Sequence, residues 1–152
     1  MNLGDPLPPL TLSATGNKTI TISELIGHNI VLYFYPRDDT PGCILEGQDF
    51  RDYYETFRAA NTLILGVSRD NIKKHEKFKT KYSFPFDLLS DEDERLCQLF
   101  SVIKPKTMFG KAVMSIERST FLFDHHGVLR YQWRKVKVPG HVKQVLEMTR
   151  TL

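Results

Sequence analysis

In the stretch LYFYPRDDTPGC, Leu32 to Cys43, an apolar run rich in aromatics stops at Pro36, and the chain then delivers one of its two cysteines onto a Thr-Pro-Gly turn. If a strand ends near Tyr35 and a helix begins near Pro41, Cys43 lies in the first helical turn, beyond the carboxyl end of a strand. Open α/β sheets bind ligands there. Free N–H groups of the first turn and the positive end of the helix dipole both favour an anion at that point. The thiolate, which is the nucleophilic form of cysteine, gains from both. Pro41 has no N–H to lose, and Gly42 lets a substrate come close to the backbone. A buried cysteine that merely follows a turn is the plainer alternative, and position alone does not separate the two.

Other elements must hold that turn in place. Leu10 to Ile22 alternates apolar and polar residues around Thr15-Gly16-Asn17-Lys18, which predicts a β-hairpin. Ser23 can cap a helical turn that Gly27 ends. Asn29–Tyr35 is a continuous apolar run, the mark of a strand covered on both faces. A helix from Cys43 to about Ala60 follows, then a second buried strand over Thr62–Val67. Asp70 is the expected N-cap of a helix running to about Tyr82, and Phe86–Leu89 reads as a short strand. Ser90-Asp91-Glu92-Asp93 supplies a cap and first-turn acids for a helix through Phe100. Ser119–Phe123 and Val128–Trp133 alternate around Asp124-His125-His126-Gly127 as an antiparallel hairpin. Pro139-Gly140 opens a last helix to Leu152. This order predicts an α/β fold of thioredoxin-like arrangement, with a mixed central β-sheet, helices on both faces and an N-terminal β-hairpin extension. Residues 1–152 are expected to form a single domain.

Bulk properties narrow the function classes. The 21 basic and 18 acidic residues are interleaved, so a net charge of +3 gives no stripe for nucleic acid. The densest basic run, Lys73 to Lys81, reads as a solvated helix face. No window reaches the ~18 uninterrupted apolar residues of a membrane helix. The N-terminus lacks a signal-peptide pattern, and two free thiols suit a reducing compartment, so a cytoplasmic location is expected. His125-His126 fall in a hairpin turn and His75 and His141 stand alone, a pattern that predicts no metal site.

Pro36, Thr40 and Cys43 form a Pro-x-x-x-Thr-x-x-Cys signature, with Glu46 one turn further on. This resembles the peroxiredoxins, thiol peroxidases of thioredoxin-like fold, and within them the bacterioferritin-comigratory or PrxQ branch. The resemblance extends to Leu3-Gly4-Asp5-Pro6-Leu7-Pro8, to Leu65–Asp70, to Leu88–Asp91, and to Arg118–Asp124 followed by Gly127. It implies that Cys43 attacks a peroxide as thiolate and becomes a sulfenic acid, with no cofactor. Thr40 would then hold the peroxide through its hydroxyl, and the amides of Gly42 and Cys43 would add donors. Arg118 would stabilise the thiolate and polarise the peroxide, and Pro36 would shield the sulfur from solvent. Glu46 would orient the arginine or the loop; its alternative is an exposed acid favoured by the helix dipole.

The chain departs from that branch at one function. Gln48 stands where many members carry a second, resolving cysteine, and Lys77–Tyr82, a further family location, has no thiol. Only Cys97 remains, beside the stripe Leu96, Leu99 and Phe100, where it reads as a small core hydrophobe. Its alternative role, resolving the sulfenic acid, needs Cα atoms within about 7 Å. The expected scheme is a one-cysteine cycle recycled by an external thiol: thioredoxin, glutaredoxin or glutathione. A monomer is expected, a dimer being the alternative. Two other readings stay open: a thiol–disulfide exchange protein, although Glu46 occupies the second position of a Cys-x-x-Cys motif, and a non-enzymatic scaffold or holdase.

Overall fold

A computed structural model describes all 152 residues. The elements run β1 (Thr11–Ala14), β2 (Lys18–Thr21), a 3-10 turn (Ile22–Leu25), β3 (Asn29–Phe34), α1 (Pro41–Asp52), α2 (Tyr54–Ala59), β4 (Thr62–Ser68) and α3 (Ile72–Tyr82). They continue with β5 (Asp87–Ser90), α4 (Arg95–Leu99), β6 (Ile103–Met108), β7 (Lys111–Ile116), β8 (Ser119–Phe123), β9 (Leu129–Trp133) and α5 (His141–Thr149). No helix is long and apolar enough to cross a membrane.

Seven strands form one mixed sheet in the order β2-β1-β5-β4-β3-β8-β9. β3, β4 and β5 are parallel, whereas β8 runs antiparallel to β3. All six residues of β3 are buried, as its unbroken apolar sequence requires of a central strand. Its side chains alternate between two cores. Ile30, Leu32 and Phe34 join Phe100, Phe121 and Cys97 on one face; Val31, Tyr33 and Tyr35 join Phe50, Phe86, Val145 and Cys43 on the other.

The antiparallel register pairs Phe34 with Ser119, so the start of β8 lies at the carboxyl end of β3. Arg118, one residue earlier, is thereby carried to the turn that holds Cys43. The expected fold class and the order of the main strands match this architecture, and the differences from expectation are local. The single helix expected over Cys43–Ala60 begins at Pro41 and breaks at Tyr53, where ψ is 5°. The bend lets Phe50 and Phe57 both pack inward, their rings 5.9 Å apart. Asn71, not Asp70, caps α3 by accepting from the Lys74 amide, because the Asp70 carboxylate is held by Ser68 and the Asp38 amide. The turn after β2 has no side-chain cap from Ser23. The helix expected from Ser90 starts only at Arg95; Ser90 ends β5, and the Asp91 carboxylate reaches across the turn to the amides of Leu96 and Cys97. The last helix ends at Thr149 rather than Leu152.

The β6–β7 hairpin lies outside every sequence-based expectation. It forms a separate two-stranded ribbon, paired from Ile103↔Ile116 to Met108↔Lys111. Its turn, Phe109-Gly110, has φ of 52° and 77°, the left-handed pair that a two-residue hairpin demands.

Candidate active site

Thr40 is the extended residue that opens α1, and Pro41 follows in the first turn. The first helical hydrogen bond runs from the Ile44 amide to the Thr40 carbonyl at 2.8 Å, leaving the Gly42 and Cys43 amides at the free end of the helix. The Thr40 hydroxyl donates to the Arg37 carbonyl at 2.9 Å. Cys43 itself is buried, 2% exposed, and its thiol is free.

Arg118 lies across the helix start. Its Nη2 donates to Cys43 Sγ at 3.4 Å and its Nη1 to Glu46 Oε1 at 2.8 Å. One guanidinium therefore joins the sulfur to a carboxylate one turn along the same helix. Gly42 makes that approach possible. A Cβ on Gly42 would stand 3.0 Å from Arg118 Nη2, so here the bare backbone admits the arginine rather than substrate, as the sequence had suggested.

Glu46 is fully buried, which removes the reading of it as an exposed first-turn acid. Burial raises its carboxyl to about 7; the Arg118 charge and hydrogen bond act the other way and limit the rise. Its Oε2 and the nearby hydroxyl of Tyr33 are buried without hydrogen-bond partners. Burial works against the charge on Arg118, but Glu46 and Cys43 more than offset it, and the guanidinium is held charged. The backbone of Arg118 is fixed by the Val136 amide, which donates to its carbonyl at 3.0 Å.

The loop between β3 and α1 is tied to α3 by side chains the sequence did not single out. Tyr35 donates to Asp38 Oδ1 at 2.6 Å, and His75 Nδ1 lies 2.6 Å from Asp38 Oδ2. His75 Nε2 donates to the Leu89 carbonyl at 2.9 Å. Asp39 accepts from Lys81 and Tyr82. His75 and His141, read from sequence as solitary, are both buried and bonded. His141 Nε2 lies 2.8 Å from Thr120 Oγ1, and burial, with a contribution from Arg118, lowers its ring to about 4. The ligand atoms of Asp38, Asp70 and His75 cluster within 4.8 Å, yet each is already engaged by its neighbours. Helical spacing alone could have put His75 with Phe78 on the buried face of α3, but nothing in the sequence joins it to Asp38.

Cys97 lies elsewhere. It belongs to the core on the opposite face of the sheet from Cys43, fully buried, and burial together with the Asp91 carboxylate pushes its thiol up.

A buried thiol at a helix start under an arginine from the neighbouring antiparallel strand is the arrangement that comparison with known proteins can test. Residues 3–132 match the AhpC/TSA family. The chain belongs to that family. Among its relatives, peroxiredoxin Bcp of Bacillus subtilis (strain 168) is 48% identical over 97% of this chain and 94% of its own. Peroxiredoxin Bcp of Xanthomonas campestris pv. campestris is 51% identical over 90% of this chain and 86% of its own. Among solved structures, the bacterioferritin comigratory protein of X. campestris, described for its alkyl peroxide reduction activity, superposes with a TM-score of 0.92 at 46% identity, covering 99% of this chain and 98% of that one. A Cys-to-Ser mutant of Xylella fastidiosa PrxQ reaches 0.94 at 43% identity, covering 99% and 96%. This chain is a peroxiredoxin of the Bcp/PrxQ type, with a peroxide as substrate and a thiol as reductant. It has two cysteines, neither at the sites where the branch keeps its resolving thiol.

Proposed function

We propose that this peroxiredoxin reduces hydrogen peroxide and organic hydroperoxides through Cys43 in a one-cysteine cycle. The observation that carries the reading is the Arg118 guanidinium, bonded at once to the Cys43 sulfur and to Glu46. A thiolate attacks one peroxide oxygen in line with the O–O bond. That bond breaks, the sulfur becomes a sulfenic acid, and the other oxygen leaves with negative charge and takes up a proton. Arg118 and the amides of Gly42 and Cys43 are donors set where that charge develops. Thr40 opens the same turn and supplies the hydroxyl that orients the peroxide, and Pro36 shields the sulfur. Glu46 is a positioning residue that holds Arg118.

Cys97 serves as core packing in this reading, and an external thiol returns the sulfenic acid to thiol. The place a second cysteine would take in an exchange motif is filled by the buried Glu46, which weighs against thiol–disulfide exchange as the main activity. The sheet draws strands from both ends of the chain, which supports one domain over residues 1–152. We read the protein as a monomer of a reducing compartment such as the cytoplasm, on its two free thiols.

Reduced protein given a slight excess of hydrogen peroxide without reductant should consume one equivalent, and Cys43→Ser should consume none, with Cys97→Ser unaffected. Undiminished consumption by Cys43→Ser would overturn the assignment.

A further inference from the structure

We propose that the groove between Pro36 and the β6–β7 hairpin is the docking site of the reductant, and that it fits a small thiol carrying two carboxylates and one ammonium. The inference deepens the peroxidase reading and rests on it. The cavity, about 280 Å³, is lined by Pro36, Lys104, Lys106, Ser115, Glu117 and Arg118 among others. Arg118 joins this groove directly to the sulfur, since its Nη2 is 3.4 Å from Cys43 Sγ.

The charges on the lining are specific. Arg118 is committed to Glu46 and Cys43. The side chains of Lys104, Lys106 and Glu117, in contrast, enter none of the chain's ion pairs. Two free cations and one free anion therefore share this groove with the arginine that contacts the thiol, whereas Asp38 and Asp39 on the loop before α1, and Lys81 on α3, are already paired. The complementary ligand has two anionic groups and one cationic group. The cavity is just below the ~300–1,000 Å³ of drug-sized small-molecule sites. A tripeptide-sized thiol fits those terms better than a protein surface. Because Cys97 is on the far face of the sheet, the folded chain offers no second thiol to compete.

The step balances with this donor alone. Its thiolate attacks the sulfur of the Cys43 sulfenic acid, the S–O bond breaks, and the departing hydroxide takes a proton to become water. A mixed disulfide remains. A second molecule of the same thiol attacks the donor sulfur, releasing Cys43 as thiolate and the donor as its disulfide. Two thiols are oxidised for each peroxide reduced.

The test uses glutathione, which carries two carboxylates and one ammonium, against its diethyl ester, which keeps only the ammonium. Cys43 is first oxidised with one equivalent of hydrogen peroxide, and the mixed disulfide is then followed by quenched-flow intact mass spectrometry at matched thiolate concentrations. Glutathione should react about tenfold faster than the ester, and Lys104→Glu/Lys106→Glu should erase or invert that preference. Equal rate constants in the unaltered protein, or an unchanged preference in the double variant, would overturn the docking site. So would efficient turnover by thioredoxin with no reaction of glutathione. The first step separates the two readings. Failure of Cys43 to gain an oxygen defeats the peroxidase reading, whereas a gain followed by equal rates defeats only the docking site.

Discussion

A methyl group at position 42 would meet Arg118 Nη2 at 3.0 Å, close enough to displace the guanidinium from the sulfur. Gly42→Ala should therefore slow oxidation of Cys43 by peroxide about 10- to 100-fold, by misplacing one charge donor. Gly42 does not sit in the left-handed region, so global stability should change by less than about 1 kcal/mol. Stopped-flow oxidation rates beside urea midpoints would check both. Glu46 yields a pH prediction of definite sign. Burial lifts its carboxyl from 4.5 to about 7 in the folded protein, so the protonated form is the one that folding favours. Its stabilising contribution is complete below the unfolded value and disappears as pH rises through about 7. The full shift corresponds to roughly 3 kcal/mol. Relative to Glu46→Gln, urea midpoints of the unaltered protein should thus fall between about pH 5 and pH 8, a comparison in which the opposite rise from His141, its ring lowered to about 4, cancels. Thr40 and Cys43 were legible in the sequence because their spacing is a motif, and Arg118 because its strand resembles that of the peroxiredoxins. The reason for Gly42 was not, since the group it admits comes from a strand distant in sequence.

The loop from Tyr35 to Thr40 is held by α3 as firmly as by its own turn. Asp38 accepts from the Tyr35 hydroxyl and faces His75 at 2.6 Å, with only 5% of its side chain exposed. Asp38→Ala would leave the Tyr35 hydroxyl and His75 Nδ1 buried without a hydrogen bond, a cost of about 2–4 kcal/mol given ~1–3 kcal/mol for each orphaned group. It should also slow peroxide reduction, because the same loop carries Thr40 into α1. Thermal denaturation and peroxide consumption should therefore fall together in this variant. A second contact ties α1 to the segment after α3: a Cβ on Gly47 would collide with the Phe84 ring at Cζ. Gly47→Ala should destabilise by about 1–3 kcal/mol through overpacking, read from urea unfolding. The long buried strands were legible from unbroken apolar runs, and β8–β9 from alternation around a glycine turn. The β6–β7 ribbon was not, because nearly all of its residues are exposed and Pro105 interrupts its pattern. Neither apolar alternation nor a buried face marks such a hairpin in advance. Its lysines reached the site only through the fold.

At the scale of the whole molecule, the sheet separates the two thiols. Alternation along β3 builds one core around Phe34, Phe100 and Cys97 and another around Tyr33, Phe50 and Cys43. For Cys97 to reach Cys43, a packed layer with a fully buried central strand would have to open. Burial also pushes the Cys97 thiol up, with Asp91 adding to the effect, so its nucleophilic form is suppressed where it sits. Sequence alone could note the apolar stripe beside Cys97, but which face that stripe covers depends on strand order, which no local pattern specifies. One equivalent of peroxide should accordingly add a single oxygen to the monomer, trapped at Cys43 by a sulfenic-acid reagent, with no loss of two hydrogens. Cys97→Ala should leave the oxidation rate unchanged and lower stability by roughly 1 kcal/mol, as for a small deletion in a packed core. An intramolecular disulfide in the oxidised monomer would mean that α4 leaves its core during turnover, and that the sheet does not isolate the reactive sulfur as its packing implies.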